Sequence, residues 1–422
     1  MSSVVDNIIN SEINETNKEI ENKDNIFSSN LDSNENIGVF NVKVIGIGGA
    51  GCNAIDYITR TIKIPNNVNL WALNTDIKSL RRLQNRCNLF LLGKEKYRGA
   101  GSGSNPQIGE DATLTDIEKI KQIIHNSDMV FLIAGLGKGT GSGSTPIISK
   151  LIKELNIPVA AILNLPSIDA EGQTVFENAQ ISYKKIADNC DSCCTINNEK
   201  CLNANDDCQM SLLDAFEKCN EEIGNIIATI INIINNPTKI NIDFADIKNF
   251  FITSRTFMVC SFEIDNKNYS SDEIYKIINN SIKRSYCNIP IEQSNSLLIN
   301  ANICHSTPKS IISDIRNAFV KLSHNNKIWS CIGVDYHDSN DKIKIDVLVS
   351  SDKTINDINS SHFDYDNINI NNNLNNNDEE FDDSLNKLDT ETKETNSNGL
   401  KTSSFIDDGN EEFSDDSKED WN

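Results

Sequence analysis

A chain of 422 residues with 39 Lys+Arg against 61 Asp+Glu carries a net charge of −22, and the excess sits at its ends: −6 over residues 1–38 and −15 over 351–422, with −1 left for 39–350. That distribution excludes a broad nucleic-acid or anionic-membrane footprint, which needs concentrated Lys/Arg, and the neutral middle has room for roughly two domains of about 100–200 residues. No run approaches the ~18–20 apolar residues of a membrane span, so direct membrane insertion is not expected.

Residues 1–38 read as a disordered acidic arm, rich in Asn, Ser and Glu and unable to offset the ordering entropy of roughly 1–2 kcal/mol per residue. They lack the basic start and apolar stretch of a secretory leader, and they hold no Arg, so no transit peptide is expected either. Twelve cysteines in so long a chain fall below the density of a disulfide scaffold, which points to a reducing cytosol. From Val42 the pattern alternates. VKVIGI (42–47) is a β-branched strand stopping at glycines, and helical spacing resumes over Asn53–Ile62. LWAL (70–73) is a second strand ending at Asn74-Thr75-Asp76, and NLFLL (88–92) is a third. MVFLIA (129–134) is a buried strand running into a second glycine cluster, with a helix over Thr145–Leu155 and a further strand, VAAILNL (159–165). Strands alternating with helices predict a parallel α/β sheet, Rossmann-like, with ligands at the strand C-termini. This first α/β domain spans 39–209.

Met210–Asn236 is the clearest helix. Leu213, Phe216, Asn220, Ile223, Ile227, Ile230 and Ile234 recur at three and four, and Pro237 ends the run. Its length suits a spine between two domains. A smaller α/β domain over 237–350 follows, with strands near Ser296–Ala301, Trp329–Val334 and Ile343–Val349 and a helix near Pro308–Ser323. Residues 351–422 read as a second disordered acidic tail.

Three glycine-rich loops carry the chemistry. Gly46-Ile-Gly48-Gly49-Ala50-Gly51 fits GxGxxG between strand and helix, where backbone N–H groups can approach a phosphate. Alone it allows a dinucleotide-binding unit, with Asp76 near the ribose-binding position, or a plain structural turn. The cluster from Gly135 to Ser144 has glycines at five alternate positions, with Thr140 and Ser142 between them. Gly139 follows Lys138 where a Walker A loop requires Ser or Thr. With Gly99–Pro106 as a third such loop, the pattern is one anion cradle for a polyphosphate. Asp243 and Asp246 stand three apart at the start of a helix, so both carboxylates share one face. On spacing alone they are equally an N-cap and a first-turn acid.

The glycine cluster resembles the GGGTGTG signature of the tubulin/FtsZ superfamily of cell-division GTPases. SLLDAF (211–216), the long helix and NNPTKINIDFADI (235–247) match a second, independent signature. The resemblance covers about 300 residues, from Val42 to Val349. It implies GTP/GDP bound with Mg²⁺ on the nucleotide, and no metal site of the protein's own. Gly48, Gly49, Ala50 and Gly51, with Asn53, match the first phosphate loop, and Asn74 and Asp76 the loop after the second strand. Gly101, Ser102 and Gly103 match a loop near the γ-phosphate. Gly137, Lys138, Gly139, Thr140, Gly141 and Ser142 match the signature loop. Glu171 corresponds to a ribose contact, Asn198 to a guanine-side Asn, Phe216 to the aromatic stacked on the base, and Asn220 and Glu221 to an Asn-Asp pair reading guanine. Asn241, Asp243 and Asp246 match a loop that enters the neighbouring subunit's site and activates water. A head-to-tail homopolymer forming a cytoplasmic mid-cell ring is therefore implied.

Several positions depart from that pattern. Lys138 replaces the middle glycine of GGG, either adding a phosphate-pairing cation or straining the loop. Gln173-Thr174-Val175 lacks the basic residues that usually follow the glutamate, among them a phosphate-contacting Arg. Ser254–Ser261 stands where the family has a glycine-rich strand. The C-terminal SFIDDGNEEFSDDSKEDWN lacks the apolar-basic peptide that docks division-machinery adaptors. A degenerate relative with weak hydrolysis, and more remotely an NAD-dependent Rossmann enzyme, are the alternatives. Cys190, Cys193, Cys194, Cys201 and Cys208 are spaced too irregularly for zinc and have no nearby His, so they are expected to be thiols.

Overall fold

The computed structural model describes residues 40–203, 211–235, 242–287, 289, 291–337 and 342–354. Both acidic arms lie outside the described residues, apart from the first few positions of the tail, as do Cys208 and Asn241.

Ten strands form one sheet in the order β3-β2-β1-β4-β5-β6-β7-β10-β8-β9. Strands β1 (Val42–Ile47), β2 (Val68–Asn74), β3 (Asn88–Leu91), β4 (Met129–Gly135), β5 (Val159–Leu165) and β6 (Ser192–Asn197) are all parallel. Helices cover both faces, which is why β1 and β5 are buried at every position and read as unbroken apolar runs. Strand β7 (Thr256–Asp265) joins this block through the single pair Cys193–Thr256. Beyond it the rules change. Strand β10 (Lys342–Ser351) is antiparallel to β7 and to β8 (Ser296–Cys304), while β9 (Trp329–His337) runs parallel to β8. The far half of β7 alternates buried and exposed residues, the mark of a sheet with one wet face.

The helices after the glycine loops begin earlier than their apolar spacing suggests. One runs Gly48–Thr61 and the other Gly139–Glu154, so the glycines themselves make the first turns. Propensity disfavours glycine in a helix by about 1 kcal/mol; close packing overrides it here. A Cβ on Gly51 would sit 2.5 Å from the Ile133 carbonyl oxygen of β4.

The central helix runs Leu212–Asn235, about 36 Å at 1.5 Å per residue. Ile223, Ile227 and Ile230 on it are fully buried. Leu213 departs from the expected buried stripe, at 66% exposed, because the first turns overhang a cavity instead of the core. The helix Phe244–Ile252 then packs under the sheet. Phe251 meets Phe131 of β4, Phe250 and Phe257 of β7 edge-on, with ring centroids 5.4, 5.2 and 5.0 Å apart. One aromatic cluster thus joins the parallel and antiparallel blocks.

The cysteines correct one expectation. Cys201, on the short helix Asn198–Asn203, is disulfide-bonded to Cys219 of the central helix, with Cα atoms 6.5 Å apart. Cys190, Cys193 and Cys194 are buried free thiols, as expected, and among the described residues no group of three His, Cys, Asp or Glu could hold a metal. No helix among them is long and apolar enough to cross a membrane.

Candidate nucleotide site

The C-terminal ends of β1, β2, β4, β5 and β6 open onto one cavity of about 890 Å³. Its walls carry Gly49, Ala50 and Asn53 from the first loop, Asn74 and Asp76 from the second strand end, and Gly101 and Ser102 from the third loop. Lys138, Gly139, Thr140 and Gly141 come from the signature loop, with Glu171 and Asn198 beyond, and Phe216, Asn220 and Glu221 from the central helix. Residues spread over 170 positions of sequence therefore share one wall. Gly48, Gly51, Gly103, Gly137 and Ser142 stand outside that wall. Gly48 has φ +73° and Gly137 φ +98°, backbone that side chains rarely adopt. Ser142 fixes the loop by accepting a hydrogen bond from Gly137 N at 2.6 Å.

Two helix N-termini face the cavity. Both the helix from Gly48 and the helix from Gly139 begin without a side-chain cap or a first-turn acid. Their first N–H groups are available to an anion, and the helix dipole favours one there. The hydroxyls beside them are ordered against each other. Thr140 Oγ1 lies 2.7 Å from Thr75 Oγ1 and 3.2 Å from Ser102 Oγ, which ties the second strand end, the third loop and the signature loop together.

Most of the carboxylates on this side are committed. Asp76 caps the helix Ile77–Arg81, accepting from Lys78 N at 2.9 Å and from Ser79 N and Oγ at 3.3 and 2.7 Å. Burial pushes its carboxyl up, but these hydrogen bonds outweigh it and hold the group below its ordinary value. Asp56 pairs with Arg60 and Arg86. Glu171 accepts from Asn198 Nδ2 at 2.8 Å and pairs with Lys138 at 3.0 Å. Among the described residues of the cavity wall, Asn164 Oδ1 and Asn198 Oδ1 are buried without a hydrogen-bond partner. Buried acceptors left unpaired are costly, and a ligand donor in the cavity would satisfy them.

Asp243 and Asp246 are elsewhere. Asp243 caps the helix Phe244–Ile252 by accepting from Asp246 N at 2.7 Å, and Cys331 Sγ donates to Asp246 Oδ2 at 3.4 Å. Neither lines the cavity. The capping role read from their spacing is observed. Wall residues that the motifs did not mark include Thr75, Ser79, Arg82, Ser104, Asn164 and Glu217; only Thr75 and Ser104 sat inside a recognisable loop.

The family model for the Tubulin/FtsZ family GTPase domain matches residues 41–206. The cell division protein FtsZ of Aquifex aeolicus is 36% identical over 207 residues, 49% of this chain and 55% of that protein. Residues 41–206 thus resemble the GTPase domain of the Tubulin/FtsZ family. Among other FtsZ proteins, that of Pseudomonas aeruginosa is 32% identical over 210 residues, covering 49% of this chain and 51% of its own length. The chain thus spans about half the length of the curated relatives it matches. The structural likeness reaches further. An empty FtsZ dimer from M. jannaschii superposes with a TM-score of 0.63 at 26% identity, over 78% of this chain and 92% of its own. A GTPγS-bound protofilament of CetZ2 from Haloferax volcanii shares the fold at 19% identity, with a TM-score of 0.60 over 74% of this chain and 93% of its own. The family-model match ends before the central helix, so Phe216, Asn220, Glu221, Asp243 and Asp246 lie outside it.

Proposed function

We propose that this chain binds GTP in the cavity at the parallel strand ends and hydrolyses it within head-to-tail filaments of its own copies. The observation that carries the first half is the convergence of three glycine loops and two uncapped helix N-termini on a cavity that Phe216 flanks. The phosphates would lie against the backbone N–H groups of Gly49–Ala50 and Gly139–Gly141. The base would stack on Phe216, with Asn220 and Glu221 beside its edge. A carboxylate there accepts from the paired N–H groups of guanine, which adenine does not offer. Glu171 would meet the ribose hydroxyls. The cluster of Thr75, Ser102 and Thr140 hydroxyls is a hard-oxygen donor set that suits Mg²⁺ arriving on the nucleotide, whose charge would offset that of the phosphates.

The second half follows from what the cavity lacks. Asp56, Asp76 and Glu171 are engaged, and Glu217 and Glu221 sit on the base side with Phe216. Among the described residues of the wall, no carboxylate is left on the phosphate side to orient the attacking water. Asp243 and Asp246 are two acids on one helix start, outside the chain's own cavity, and a second copy docked over the open site would bring them in. Their role is to position water and accept its proton, while the loops stabilise charge on the phosphates. Asn241 belongs to the same segment. Such filaments would build a cytokinetic ring at mid-cell in the cytoplasm. The acidic tail would serve as a solvated spacer, not as an adaptor peptide.

A competition experiment with the full chain tests the ligand. GTP and GDP should displace a labelled guanine nucleotide at concentrations at least ~100-fold below NAD or ATP, a ratio set by base-edge hydrogen bonds. Better displacement by NAD would contradict the assignment. Tight GTP binding with negligible turnover at any protein concentration would instead select the degenerate relative, which the neutral Gln173-Thr174-Val175 segment favours.

A further inference from the structure

The cavity wall carries five carboxylates, Asp56, Asp76, Glu171, Glu217 and Glu221, against three cations, Arg60, Arg82 and Lys138. A polyphosphate entering this excess of negative charge needs a cation near its oxygens. Two of the three are held on the rim of the first helix. Arg60 pairs with Asp56 at 2.5 Å, and Arg82 Nη2 donates to Asn53 Oδ1 at 3.3 Å. Lys138 differs in position. It is the residue immediately before Gly139, at the uncapped start of the signature helix. Its side chain is 61% exposed, while its partner Glu171 is only 11% exposed. The ammonium is thus the mobile half of a pair whose other half is fixed by Asn198.

The backbone shows that a side chain is tolerated here. Lys138 has φ −103°, ordinary extended geometry, whereas its neighbour Gly137 has φ +98°. Straining of the loop by a Cβ at 138 is therefore not observed. Across the loop, the helix Gln173–Asn189 sets Val175, not a cation, against Gly137; a Cβ on that glycine would lie 2.5 Å from Val175 Cγ1. The segment that follows Glu171 brings no positive charge to the cavity.

Building on the nucleotide reading above, we infer that Lys138 is the cation that pairs with the nucleotide's phosphate chain in this protein. Its ammonium leaves Glu171 for a phosphate oxygen when nucleotide binds, which also releases the Glu171 carboxylate to the ribose. An ammonium exchanged between two anions requires no backbone movement, only rotation of a long side chain.

The test is nucleotide affinity of the full chain and of the variants Lys138→Gln and Lys138→Arg, measured with GTP, GDP and unphosphorylated guanosine. Lys138→Gln should weaken GTP and GDP on the order of 10-fold, the size of a lost charge-assisted pair, and should flatten the salt dependence of GDP binding. Guanosine competition should stay unchanged, and Lys138→Arg should restore most of the affinity. If the wild-type chain binds GDP but Lys138→Gln binds it equally well, the assignment of Lys138 falls and the nucleotide reading stands. Equal losses for GDP and guanosine would show that Lys138 only supports the loop, which also overturns it. A wild-type chain that binds neither GTP nor GDP refutes the nucleotide reading itself.

Discussion

Strands β1–β6 run parallel, are buried on both faces and end in glycine loops, whereas β7–β10 are mixed, partly wet and end in no such loops. The first block holds the cavity wall, whose acids Asp56, Asp76 and Glu171 are already engaged. The second displays two acids at a helix start with nothing of its own to act on. On the proposed reading, binding and water activation are divided between two regions that do not meet within one chain. The division teaches why an isolated copy should be a poor catalyst although it can be a good binder.

The sharpest way to break this comparison is to remove one side only. Asp243→Ala or Asp246→Ala should lower GTP turnover by roughly 10²–10⁴-fold, the usual contribution of a positioned base, while GTP affinity in equilibrium titration stays at the wild-type value. Weakened binding in step with turnover would place these acids in the binding wall instead. Next in size is the join between the blocks. Phe251→Ala removes a fully buried ring touching Phe131 and Phe257, and should cost about 3–5 kcal/mol in denaturant unfolding. A loss under 1 kcal/mol would mean the blocks are joined by other contacts. Phe216→Ala, on the half-open first turns of the central helix, should weaken guanine nucleotides by about 1–3 kcal/mol, the range for base–aromatic stacking, with little change in unfolding.

The smallest effect is a pH dependence. Glu222 lies on the central helix beside a second cavity of about 530 Å³, with Cys260 and Arg284 on its wall. Burial raises its carboxyl above the ordinary 4.5. A raised acid favours the folded state in its protonated form, so that stability is full below about 4.5 and is lost as pH rises through the raised value. Glu222→Gln should therefore raise the melting temperature at pH 7 and leave it unchanged at pH 4. An equal shift at both would point to packing instead of charge.

Much of the parallel block was legible because burial on both faces leaves unbroken apolar runs: Val42–Ile47 and Val159–Leu165 are strands with the expected bounds. Strand β6 was hidden, since Ser192-Cys193-Cys194-Thr195 reads as a cysteine cluster before it reads as a strand. The helix starts at Gly48 and Gly139 were misplaced because glycine propensity opposes them and tertiary packing decides. The disulfide between Cys201 and Cys219 has no spacing signature; it follows from two helices meeting in space. For the cavity, the glycine loops announced themselves, while Asn164, Arg82 and Glu217 arrive from elements whose convergence no local pattern states. The pairing of Lys138 with Glu171 is of the same kind.

The central claim is that the catalytic site is completed by a second copy. GTP turnover per molecule, followed against protein concentration with light scattering in the same cuvette, tests it directly. Turnover should be near zero at low concentration and should rise with scattering above a threshold. Turnover that is constant per molecule at every concentration, with or without scattering, would contradict it.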